Sequence, residues 1–159
     1  IYSINETYIK TIDEKDLFNF FKEYVSKYKK PIDQAKESIL LKSMGFLKNK
    51  AKTLEDIWNN AQYIINDKIE VGADDKKLID DLSKKVINDF INEFEKLSSP
   101  SREILEPVIK SLIDKHKTNF KGVGQPLRIA LVGSRFGPGL YDVILSLDKA
   151  KVIKRLKSV

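Results

Sequence analysis

An all-helical chain is predicted. Apolar residues recur at intervals of three and four through most of the 159 residues, capping side chains stand where these runs begin, and the one strand-like segment has no second to pair with. Thr11 with Glu14 reads as a capping box, followed by Leu17, Phe18, Phe21, Tyr24, Val25 and Tyr28 on one side of a helix from about 13 to 28. Residues 29–31 (KKP) end it. A second helix starts at Asp33 and carries Ile39, Leu40, Met44 and Leu47, weakened by Gly45 before the basic residues Lys48, Lys50 and Lys52. Thr53 caps a third, with Glu55 and Asp56 in its first turn and a buried stripe of Leu54, Ile57, Trp58, Ala61, Ile64 and Ile65.

Residues 66–74 break the pattern around Gly72 and mark the best subdomain boundary. Residues 74–97 then read as the longest helix, burying Leu78, Ile79, Leu82, Val86, Phe90, Ile91 and Phe94 with its acids outward. After the loop 98–101 (SSPS), Pro107 implies a short turn to Glu106 and a restart, since proline at a first helical position loses nothing. That helix ends near His116, and 120–126, with Gly122 and Gly124, reads as a linker. Residues 127–133 suit a buried strand or a short helix; helix is favoured because a lone strand is unstable. Two short amphipathic helices, 140–147 and 152–156, close the chain.

A chain that is 42% hydrophobic and 33% charged can bury a core without being disordered. No cysteine and a single histidine exclude disulfides, thiolate metal sites, thiol nucleophiles and imidazole clusters. Neither a membrane-spanning run nor a secretory signal is found, so a cytoplasmic location is expected. The start at Ile1, without methionine, reads as a piece of a longer protein. The net charge of +6 is uneven. Lys and Arg number two against four acids over residues 1–21, nine against three over 22–52, six against eleven over 53–97 and twelve against five over 98–159. Two basic regions suit a polyanion partner, although a solvated lysine-rich surface has the same composition.

The most unusual segment is GSRFGPG at 133–139, flanked by Arg128 and containing Arg135. A triphosphate-binding loop would need lysine where Pro138 stands. A rigid loop of main-chain groups beside guanidinium planes instead suits unstacked bases. His116 reads as structural at a helix end, Asp74, Asp75, Asp80 and Asp81 as a solvated face, and Trp58 as core.

Residues 125–133 (QPLRIALVG), 137–147 (GPGLYDVILSL) and 154–156 (KRL) closely resemble the C-terminal end of bacterial glutamyl-tRNA synthetases, whose pattern is PLR-x-ALTG, P-x-L-x-D/E-I/V-L and a final arginine-leucine. In the same order, 4–9 (INETYI) is similar to the family's N-x-x-Y-I/L entry into the anticodon-binding region, and 50–54 (KAKTL) to its R-x-K/R-T-L step. The resemblance implies an anticodon-binding region of two packed helical subdomains, here residues 1–66 and 73–159, the second carrying the reading loop. It implies tRNA(Glu) as partner and a catalytic domain N-terminal to this segment that uses ATP and Mg2+. The HIGH and KMSKS motifs of that domain do not occur here, so no cofactor and no catalytic residue is expected in these residues.

By the same resemblance, Arg128 works at the middle anticodon base, Gly137 and Pro138 present main-chain groups to the first base, Leu140 packs on the middle base and Lys50 reads the third. Arg135 joins them as the loop's second arginine. The family's residue at Lys50 is arginine, whose planar fork reads a base edge where lysine offers only a point charge. Relaxed reading there would admit tRNA(Gln) as well. Gly137 replaces a larger residue of some relatives, and Asp148 stands at a usual glycine. Folding is expected to gather both basic regions around one anticodon loop. The competing classes are a helical protein-interaction scaffold, which predicts indifference to Arg128→Ala, and a nucleotide-hydrolysing enzyme.

Overall fold

The computed structural model describes residues 4–159; Ile1, on which the reading of a cut chain rests, lies outside them. Eleven α-helices and one 3-10 turn are present among the described residues, with no strand. None of the helices is long and apolar enough to cross a membrane. The chain forms two compact units, Ile1–Lys68 and Ile69–Val159.

The first unit begins with α1 (Glu6–Thr11), whose cap Asn5 accepts from the Tyr8 N–H at 2.9 Å. Thr11 therefore ends a helix instead of starting one. Its hydroxyl donates back to the Thr7 carbonyl, and Asp13 caps α2 (Glu14–Tyr28) through the Lys15 N–H. Asp33 caps the 3-10 turn Gln34–Lys36, which leads into α3 (Glu37–Leu47). Thr53 and Asp56 form a reciprocal capping box on α4 (Leu54–Asn60), followed by the single turn α5 (Gln62–Ile65). Helix α2 packs on α3 and α4, burying Leu17, Phe21, Val25, Leu40, Met44, Leu47 and Ile57. Trp58 is not core. It is half-buried under the Lys29 ammonium, 5.6 Å from its ring, because α4 turns Leu54 and Ile57 inward. Lys29 also pairs with Glu55 at 2.8 Å, and the Tyr24 hydroxyl donates to the same carboxylate. That hydrogen bond, with lesser desolvation, pushes the Tyr24 phenol up to about 12.

The second unit departs from the expected long acidic helix. The short α6 (Ala73–Lys76) is separate from α7 (Asp81–Glu95), because Asp80 restarts the helix by accepting from the Ser83 N–H and hydroxyl. Leu82 is left exposed, and Ser83, Val86, Ile87, Phe90, Ile91 and Phe94 form the buried face. Helix α8 (Arg102–Lys115) runs through Pro107 without a break. Proline at this place removes the bond to the Glu103 carbonyl, and that residue is exposed, so water can satisfy the oxygen. At its end His116 Nε2 lies 2.7 Å from the Asp89 carboxylate. The Lys115 ammonium, then the His116 hydrogen bond, hold Asp89 below its ordinary pKa against opposing desolvation.

The expected linker at 120–126 is helix: α9 spans Phe120–Val132, capped by Asn119 through the Gly122 N–H at 2.9 Å. Interior glycines cost about 1 kcal/mol each and proline about 3. Burial of Val123, Leu127, Ile129 and Leu131, at about 1.5–3 kcal/mol for each large aliphatic side chain, outweighs them. The helix is the centre of this unit, contacting α7, α8, α10 (Leu140–Ser146) and α11 (Lys149–Lys157). Asp148, the departure from the resembled pattern, caps α11 by accepting from the Lys151 N–H at 2.8 Å.

Candidate nucleic-acid interface

Residues 133–139 join α9 to α10, and three separate devices hold this loop. Gly133 ends α9 at φ 88°, its N–H bonded to the Ile129 carbonyl at 2.8 Å. Only glycine adopts this backbone readily, and a Cβ here would stand 2.4 Å from the Glu70 carbonyl oxygen. Arg128, one turn before the helix end, folds over the loop. Its Nε donates to the Pro138 carbonyl at 3.2 Å and its Nη1 to the Arg135 carbonyl at 3.3 Å. Asp75 completes the frame from α6, accepting at one oxygen from the Arg135 N–H at 3.3 Å and from Arg135 Nε at 2.6 Å.

The five loop-side positions expected to act together do share one place. Arg128, Arg135, Gly137, Pro138 and Leu140 all lie in or against this loop. Their states differ. Burial lowers the Arg128 pKa, but a guanidinium remains charged. Two of its N–H groups hold loop carbonyls, and the others have no protein partner among the described residues. Arg135 is tied to Asp75 and is not a free cation. Gly137 has φ 148°, a backbone strained for any side chain, although a Cβ would meet only ordinary contact with Val132. Leu140 is 2% exposed and belongs to the core, so it offers no open surface to a base.

Lys50 lies in the first unit, exposed, at φ 66° on the turn between α3 and α4. The next residue, Ala51, is fully buried, and its N–H bonds to the Lys48 carbonyl at 3.0 Å. The turn thus forces a lysine into the left-handed region, at a cost of about 1–2 kcal/mol. Lys50→Gly should stabilise the first unit by about 1 kcal/mol, read as a higher denaturant midpoint. An unchanged midpoint would show that the turn relaxes in solution.

Asp75 and Phe136 matter here without any role expected from the sequence, and Arg155, known from the sequence only as part of the final arginine-leucine, has a structural role no pattern announced. Asp75 lies on no solvated face: its side chain is only 15% exposed and anchors the loop from 60 residues away. No local pattern signals such a pair. Phe136 is the opposite case, 75% exposed at the loop tip; an aromatic between Arg135 and Gly137, where turn chemistry favours small polar residues, was the available clue. Arg155 is buried, with Nη1 donating to the Leu131 carbonyl at 2.7 Å at the end of α9. Among the described residues no group of three or more carboxylates and histidines is placed to hold a metal ion.

A family model described as "Anticodon binding domain" matches residues 12–159. The chain is 52% identical over 156 residues to glutamate-tRNA ligase of Pelagibacter ubique, covering 98% of this chain and 34% of that protein. It is 30% identical to glutamate-tRNA ligase 1 of Syntrophus aciditrophicus over 97% of this chain and 32% of the relative. A crystal structure of a glutamate tRNA ligase from Elizabethkingia meningosepticum in complex with its amino acid superposes with a TM-score of 0.78 at 21% identity, over 97% of this chain and 30% of that one. That likeness carries the fold. The chain spans about a third of the length of the curated relatives it matches.

Proposed function

We propose, from the premise that this chain belongs to the anticodon binding domain family, that it grips the anticodon of tRNA(Glu) for a glutamate-tRNA ligase. The single observation that carries this reading is the clamped loop. Arg128 fixes the carbonyls of Arg135 and Pro138 while keeping other N–H groups to offer. A base meeting such a loop finds donors and acceptors already oriented, so little ordering entropy is lost on binding. Gly137 and Pro138 present main-chain groups to the first base, Arg128 donates to the middle base, and Leu140 acts by holding α10 against the loop. Activation of glutamate with ATP and Mg2+ falls to the length of the relatives that this chain does not span. A location in the cytoplasm follows from that role.

Titration of the chain with tRNA(Glu), and with the same tRNA altered at the middle anticodon base, tests the reading at one fixed salt concentration. The native anticodon should bind more tightly. Arg128→Ala should weaken the native complex by roughly tenfold, a loss of about 1.4 kcal/mol, and erase the preference between the two. Equal binding to both by the unaltered chain would leave only electrostatic grip. Lys50, a point charge at the third base, extends the proposal to tRNA(Gln). Comparable affinities for the two tRNAs are expected, and strong preference for tRNA(Glu) would defeat that extension.

A further inference from the structure

Phe136 is the most exposed large hydrophobic side chain among the described residues, at 75%, against 58% for the next, Tyr28. An aromatic ring in water invites collapse onto the surface, and here the backbone opposes it. The Phe136 N–H is bound by the Ser134 hydroxyl oxygen at 3.0 Å, and the preceding Arg135 is held at its own N–H and Nε by Asp75 and at its carbonyl by Arg128. Arg135 Cζ lies over the Phe136 ring, 5.5 Å from its centroid, so a guanidinium held by Asp75 already covers one face and the other is left to solvent. We propose that Phe136 is a stacking platform for one unstacked base of the bound RNA, which takes the ring face opposite the Arg135 guanidinium.

The surroundings of the ring select this ligand. Its sequence neighbours are Ser134, Arg135, Gly137 and Pro138, none of them a large apolar side chain of the kind that helps a protein hot spot exclude water. A single planar ring backed on one face by a guanidinium, in a region with twelve basic residues against five acids over 98–159, instead matches a π-face attached to a phosphate chain. Stacking tolerates any base. Phe136 should therefore add affinity without choosing the sequence, a division of labour from the edge contacts assigned to Arg128. The inference rests on the proposed anticodon reading.

The test is calorimetric titration of an anticodon stem-loop, and of a series in which each loop nucleotide in turn is made abasic, into the chain, Phe136→Ala and Phe136→Trp. Phe136→Ala should bind the intact hairpin roughly tenfold more weakly, and Phe136→Trp should bind it at least as well as the unaltered chain. One abasic hairpin should cost the unaltered chain the same factor and cost Phe136→Ala nothing further. Unchanged affinity of Phe136→Ala, or a loss equal for every abasic hairpin, overturns the platform while leaving anticodon binding intact. If the unaltered chain binds no hairpin, the anticodon reading itself falls and the platform with it. Because the ring is exposed, the unfolding midpoint of Phe136→Ala should match that of the unaltered chain, which separates lost stacking from lost folding.

Discussion

Gly133→Ala is expected to destabilise the second unit by about 3 kcal/mol, read as a fall in the urea midpoint followed by circular dichroism. Two costs add. A side chain at φ 88° pays about 1 kcal/mol or more for left-handed backbone, and the new Cβ would meet the Glu70 carbonyl oxygen at 2.4 Å. That oxygen is main chain, so relief requires the 69–72 segment or the end of α9 to move. Gly137→Ala supplies the control. Its φ of 148° carries the conformational cost, but the nearest atom to a Cβ is Val132 Cγ2 at a comfortable 3.6 Å. It should lose only about 1 kcal/mol. Equal losses at the two positions would mean that the Glu70 contact costs nothing and that backbone angle explains both.

The second large effect is expected at Arg155, which is 6% exposed and donates to the Leu131 carbonyl at 2.7 Å. The last carbonyls of a helix have no partner within it, and a cation at that end also meets the negative pole of the helix dipole. Arg155→Ala removes a charge-assisted bond and leaves a cavity, so a loss of about 3 kcal/mol is expected in the second unit. Arg155→Met keeps most of the volume and should lose about 1–2 kcal/mol, the cost of the deserted carbonyl. Thermal unfolding of both variants decides the point. A neutral or stabilising Arg155→Met would show that desolvating the guanidinium already consumed what its bonds return.

Most of the buried faces of α2, α3 and α7 were legible because helical period is a local property, although Tyr28 and Leu82 are exposed and Ile87 was not foreseen, and Thr53 with Asp56 announced the start of α4 for the same reason. The helical state of 127–132 also followed from the sequence, since no strand could pair with it. Misreadings occurred where local signals conflicted with packing. Gly122, Gly124 and Pro126 look like a linker until neighbouring helices bury the residues between and beyond them. Pro107 looks like a break until Glu103, whose carbonyl it leaves without a helical partner, is found on the exposed side of α8. Asp80 was hidden by the apolar residues Leu78, Ile79 and Leu82, which imitate a continuous stripe across a helix start. The loop residues Arg128, Arg135, Gly137 and Pro138 were visible as a motif. Their bonding was not, because Asp75 meets Arg135 across 60 residues and nothing in either neighbourhood foretells it.

The uneven placement of aromatic residues gives the molecule a built-in reporter. Its one tryptophan, Trp58, lies in the first unit, whereas the second contains Tyr141 as its only tyrosine and no indole. Indole emission therefore reports directly on the unit that carries Lys50. A change of that emission as RNA is added would record events around α4. A titration visible by heat alone would show that binding leaves the surroundings of Trp58 unchanged.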